Sequence, residues 1–223
     1  MKKFILNKIF EKKESFLKRK GFLTASLFFS ILFLVFSFLV HKGSLAYLDY
    51  RIISGLQMIP RAWDVFLSFF SLIGSFEVYS LFLLAVFLYL RKYIEFLIVY
   101  GIFGALHIIE ILGKYFIFQP PPPHEFFRFS LPFVFPSSGV KPGYAYPSGH
   151  SMRTVFISIL LGYLVYKNKK LSNTTKMAAL VLILVFDFVM LASRVSLGEH
   201  WFTDVVGGAF LALAGVFFAL LFI

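Results

Sequence analysis

The chain has 223 residues, 59% of them hydrophobic, 20% aromatic and only 15% charged. That leaves too little polar side chain to cover a soluble surface, so the composition points to an integral membrane protein and excludes a nucleic-acid-binding domain. The formal net charge of +11 is concentrated in a few stretches, and the absence of cysteine excludes disulfides, thiolate catalysis and zinc–thiolate sites.

Eight of the 22 lysines and arginines fall in the first 20 residues. Leu6, Ile9, Phe10, Phe16 and Leu17 recur at helical spacing between them, which predicts an amphipathic helix over 1–21 lying on an anionic membrane surface. The apolar run from Phe22 to Val40 is longer than a signal-peptide core and predicts a retained crossing, the first element of a domain spanning 22–223. Residues 41–64 are mixed in character and predict a short interfacial helix. Five more apolar segments follow, at approximately 65–90, 93–116, 149–166, 177–193 and 203–222. Each is long enough to cross a bilayer at about 1.5 Å per residue, so the expected fold is all-α, a six-transmembrane helical bundle. Gly74-Ser75 and Glu77 predict a bend or a cavity lining within the second crossing. Residues 117–147 hold eight of the nine prolines, Pro120 to Pro123 among them, and predict a long loop.

The cationic residues orient the bundle. With both termini in the cytoplasm, that side receives fourteen of the 22 lysines and arginines, all on short segments. Lys114 then ends the third crossing, His150 begins the fourth, Arg194 ends the fifth, and His200 and Asp204 open the sixth. Two crossings separate His150 from Arg194, so the chain returns to the face it left. Four distant stretches are therefore expected to meet at the outer face.

Their chemistry is that of phosphate. In "YPSGHSMRT" (146–154), Pro147, Ser148 and Gly149 form a turn at a helix N-terminus, where backbone N–H groups can receive an anion. Lys114, Arg153 and Arg194 are cations in or near the same layer, and charges within membrane segments are costly and usually functional. His200 and Asp204 are four apart and share a helix face. A carboxylate on one ring nitrogen leaves the other free to attack or to move a proton, and a neutral imidazole is a competent nucleophile toward phosphorus. Metal ligation by His150, His200 and Asp204 is the competing reading, disfavoured by the surrounding cations. Glu110, four residues before Lys114, reads as a charge partner, Asp187 as a buried acid below Arg194, and Glu199 as solvated.

"PSGH" at 147–150 and "SRVSLGEHWFTD" at 193–204 resemble the Pro-Ser-Gly-His and Ser-Arg-x5-His-x3-Asp motifs of the type 2 phosphatidic acid phosphatase family. The resemblance implies a nucleophilic His200 oriented by Asp204, a general acid at His150, phosphate held by Lys114, Ser148, Gly149 and Arg194, and no cofactor or metal. The family's first motif, Lys-x6-Arg-Pro, is half present: Lys114 fits, but Pro121 stands where the arginine belongs. Arg128, carried back by the proline-rich loop, is the favoured replacement, and Arg153, one turn into the helix, is the other. The implied protein is a lipid phosphatase of a bacterial inner membrane with a periplasmic active site. Its substrate would be an anionic phospholipid or lipid A, with the 1-phosphate of lipid A ahead of undecaprenyl diphosphate and phosphatidylglycerophosphate. Two rivals are a lipid transporter, argued against by the few charges in the inner halves of the helices, and an inert lipid-binding homologue, argued against by the retained histidines and Asp204.

Overall fold

The computed structural model describes the backbone of residues 2–129, 131–133, 135–136 and 143–223, with side chains from residue 16 onward. The helices are α1 (Lys2–His41), α2 (Ala46–Leu56), α3 (Asp64–Ser71), α4 (Phe76–Leu90), α5 (Tyr93–Phe116), α6 (Gly149–Lys167), α7 (Asn173–Ser196) and α8 (Phe202–Ala219). Helix α1 is continuous from Lys2, so the basic stretch and the first crossing form one rod. The two faces expected of that basic stretch fall mostly on residues whose side chains lie outside the described set. The short helix expected in 41–64 is α2.

Among the described residues, four helical stretches are long and apolar enough to cross a bilayer: 16–41, 93–116, 173–196 and 202–222. A fifth is the pair 61–74 and 76–90, bent by 54° at the break between Gly74 and Phe76. Helix α6 has the length of a crossing but lower apolarity, because it is enclosed by protein: its N-terminal half, from Gly149 to Ser158, is buried apart from a partly exposed His150. A helix walled by protein need not present the apolar face that lipid demands.

Helix α8 is the axis. It packs against α1 and α6 above all, and small residues allow the approach. Gly215 faces Leu106 of α5, Gly208 faces the Ser148 carbonyl, and Gly207 faces the Tyr146 ring. Ser26 of α1 donates to the Ala214 carbonyl at 2.8 Å. Large apolar side chains such as Ile31, Leu34 and Phe38 on α1 and Leu182 and Phe188 on α7 point outward, as a surface solvated by lipid requires.

Three helices start on serine caps: Ser75 accepts from Val78 N–H, Ser148 from Ser151 N–H, and Ser172 from Thr175 N–H. Helix α8 is capped from two directions. Asp204 reaches back to accept from Trp201 N–H at 2.9 Å, and Asp49 of α2 accepts from Thr203 N–H at 2.8 Å and from its hydroxyl at 2.6 Å. Asp49 thereby fixes α2 across the start of α8.

The described part of the proline-rich loop forms a strap over this end of the bundle. Trp201 Nε1 donates to the Pro120 carbonyl at 2.7 Å, and Gln119 Nε2 donates to Asp49 at 3.2 Å and to Thr203 at 3.3 Å. Arg128 N–H donates to the Leu197 carbonyl at 3.1 Å. Gly198, in the left-handed region at φ 73°, lies so close to the Phe126 carbonyl that no Cβ would fit.

Candidate active site

The C-terminal turns of α5 carry His107, Glu110 and Lys114 on one face, as spacings of three and four dictate. Glu110 is the centre of an ionic cluster. Its Oε1 lies 2.6 Å from Lys114 Nζ, and its Oε2 lies 2.7 Å from His107 Nδ1 and 3.1 Å from Arg153 Nη1 of α6. Arg153 is fixed a second time by donating from Nε to the Gly74 carbonyl at 2.9 Å. That carbonyl is free for it because the chain breaks there between α3 and α4. The glycine also makes room for the first histidine, since a Cβ at Gly74 would stand 2.6 Å from His150 Cδ2.

The α6 N-terminus is seated tightly. A Cβ at Gly113 would meet Pro147 Cδ at 2.6 Å, and one at Gly149 would collide with the Glu110 carboxylate. The glycine of "PSGH" is therefore what lets α6 close onto α5. Ser148 N–H, which sequence offers to an anion, donates instead to the Asp204 carbonyl at 2.9 Å, tying α6 to α8. The Ser148 side chain is occupied as the α6 cap.

On the other side, His200 Nδ1 lies 3.2 Å from Asp204 Oδ2, the oxygen that also accepts from Trp201 N–H. One carboxylate oxygen thus orients the imidazole and the helix start together, and leaves Nε2 unengaged by Asp204. Arg194 lies buried at the end of α7 and is ion-paired with Glu199, so the glutamate expected to be solvated is engaged. Among the described residues, Arg194 Nε and Asp204 Oδ1 are buried without a hydrogen-bond partner. An unpaired buried guanidinium donor is costly, and an arriving oxyanion would satisfy it.

The charges around the two histidines reflect this convergence. The charges felt at His150 come from Arg194, Arg153, His200 and Lys114, and those felt at His200 from Lys114, Arg194, Glu110 and Arg153. His200 lies in the α7–α8 turn with its side chain 12% exposed. Burial, followed by the Lys114 and Arg194 charges, holds its imidazole well below the ordinary histidine range. That shift favours the neutral ring, with a lone pair available. Lys114, His150, Arg153, Arg194, His200 and Asp204 thus come together at one end of the bundle, although up to 90 residues separate them in sequence.

Arg128 does not join them. Its guanidinium lies within 3.1 Å of both Asp64 carboxylate oxygens and donates to the carbonyls of Ile59 at 2.8 Å and Gln57 at 3.5 Å. It fastens the strap to the start of α3, and the favoured substitute for the missing motif arginine is engaged elsewhere. The cation beside Lys114 is Arg153. Sequence offered no sign that Asp64 would claim Arg128. The i, i+4 spacing of Glu110 and Lys114 did mark Glu110 as a charge partner, but not its reach to α6. Asp187 accepts a short hydrogen bond from Ser158 within the bundle, away from the cluster.

Comparison with known proteins fits this geometry. Residues 92–223 match the model of the PAP2 superfamily. A solved structure, a transmembrane PAP2-type phosphatidylglycerolphosphate phosphatase from Bacillus subtilis, superposes with a TM-score of 0.72 at 22% identity, over 89% of this chain and 95% of that one. No curated protein matches the chain. The family match covers more than half of the sequence, and the chain belongs to the PAP2 superfamily.

Proposed function

We propose that this PAP2-superfamily enzyme, a membrane phosphoric ester hydrolase, removes phosphate from an anionic lipid through a phosphohistidine on His200. The observation that carries the reading is the pairing of His200 Nδ1 with Asp204, with Lys114, Arg153 and Arg194 gathered around the imidazoles. Asp204 fixes the tautomer that exposes the Nε2 lone pair. Lys114, Arg153 and Arg194 hold the phosphate oxygens and stabilise charge in the transition state, with the Ser148–Gly149 turn shaping the floor. As Nε2 bonds to phosphorus, the P–O bond to the lipid breaks and His150 gives its proton to the departing alkoxide. In the second step water attacks phosphorus, passes its proton to His150, and the P–N bond breaks to free phosphate.

The strap over this end of the bundle favours a lipid that arrives sideways from the surrounding leaflet. The lysine and arginine bias supports an outer-face site in a bacterial inner membrane with both termini in the cytoplasm. The 1-phosphate of lipid A is the first substrate to test, because the altered first motif resembles that branch. Phosphatidylglycerophosphate is the second, because the solved relative is named for it, and undecaprenyl diphosphate is the third. The experiment is phosphate release in detergent from these three lipids, with and without chelator. Turnover of at least one lipid is expected to survive chelation and to fall by about 10⁴-fold or more in His200→Ala. Full activity in both His200→Ala and His150→Ala would overturn the reading.

A further inference from the structure

The first family motif normally supplies a lysine and an arginine from one stretch of chain, and here the second is a proline in the strap. The cation that stands beside Lys114 comes from α6 instead. Two cations brought together from different helices repel each other and carry long, mobile side chains, so something must both neutralise and immobilise them. Among the described residues, only Glu110 touches both. Its side chain is 4% exposed, with one oxygen on Lys114 and the other on Arg153 and His107. The His107 ring is itself held, stacked on Phe76 with centroids 4.7 Å apart. The carboxylate occupies the space that a Cβ at Gly149 would fill, so it packs directly against the start of α6.

We propose that Glu110 is a positioning residue for the reaction: an acidic hub that locks Lys114 and Arg153 into one rigid cationic unit and so supplies what the incomplete first motif lacks. The inference rests on the phosphatase reading above. Glu110 approaches the cations from the bundle interior, and a phosphoryl group would approach from the open side. The carboxylate therefore holds them while substrate binds, and its negative charge moderates their pull on the ground-state dianion. Binding energy is then kept for the transition state, where the geometry of the pair matters most.

A merely structural ion pair predicts something different, and kinetics separate the two. In Glu110→Gln the cations lose both their tether and the opposing charge. The expected result is kcat lower by about 10²-fold, KM unchanged or lower, and inorganic phosphate bound about tenfold more tightly, read as competitive inhibition and as thermal protection in detergent. Glu110→Asp keeps the buried charge, and with it the fold, but shortens the reach by one carbon. There kcat should fall while phosphate affinity stays at the wild-type value. Wild-type kcat in either variant, or a Glu110→Gln protein that loses thermal stability without any change in phosphate affinity, would overturn the inference. If the wild-type protein neither binds phosphate nor turns over, the phosphatase reading fails instead, so the two failures are distinguishable.

Discussion

Two buried arginines divide the labour at one end of this molecule. Arg153 on α6 and Arg128 in the strap are each paired with a carboxylate and each tied to a backbone carbonyl. Their surroundings differ. Arg153 shares Glu110 with Lys114 and His107, and its charge acts on both catalytic-candidate histidines. Arg128 has both oxygens of Asp64 to itself and spends its remaining donors on Gln57 and Ile59. A buried cation is available to a ligand only when its own protein has not already saturated it. The same residue type is therefore proposed to serve chemistry in one place and is held in the architecture in the other.

That contrast can be broken by measurement. Arg153→Ala should lower kcat/KM by about 10²-fold, the scale of losing one charge-stabilising donor. The fold should persist, because Glu110 keeps Lys114 and His107 as partners. Gly74→Ala places a Cβ where the His150 ring now lies and should cost about tenfold in kcat as the imidazole is displaced. Arg128→Ala should change activity per folded molecule least, by about fivefold at most, on the uniform-binding side of the balance. Its effect belongs to stability: Asp64 would be left buried without its cation, at a cost of about 3–5 kcal/mol, seen as a lower melting temperature in detergent. If Arg128→Ala impairs catalysis more than Arg153→Ala, the two roles must be exchanged. The smallest effect concerns pH. Protonation would silence His200 as the proposed nucleophile, and its imidazole is held well below the ordinary range. Hence kcat/KM, corrected for ionisation of the substrate and of His150, should not be lost as pH falls through 6.5 and should decline only at more acidic values. An inflection near 6.5 would mean that the ring is more exposed to solvent than the packing implies.

Much of this site was legible in the sequence because two rules act over long distances. Counting crossings placed Lys114, His150, Arg194 and His200 on one face, and the i, i+4 spacing put His200 on Asp204; the structure assembles these residues as expected. The all-α fold was equally legible from apolar periodicity, although α6 shows how the rule weakens for a helix sheltered by protein. Contacts between side chains of unrelated segments were not legible. Nothing in the neighbourhood of Arg128 points to Asp64, and nothing near Glu199 distinguishes a solvated glutamate from one paired with Arg194. The free N–H groups expected at Ser148 depended on which carbonyl would come to meet them, and that carbonyl belongs to Asp204, 56 positions later. Local pattern fixes elements and faces, whereas partner choice among buried charges is decided only once the helices have met.

The strap has a consequence for how the protein matures. Its anchors join Pro120 to Trp201, Arg128 to Asp64 and Leu197, and Gln119 to Asp49 and Thr203, so the full set forms only once segments as far apart as Asp49 and Thr203 are both in place. Closing such distant pairings is slow relative to making helices. Insertion of the helices can therefore precede closure of the strap. A mutation that loosens the strap would lower the share of inserted molecules that complete it, more than the activity of those that do.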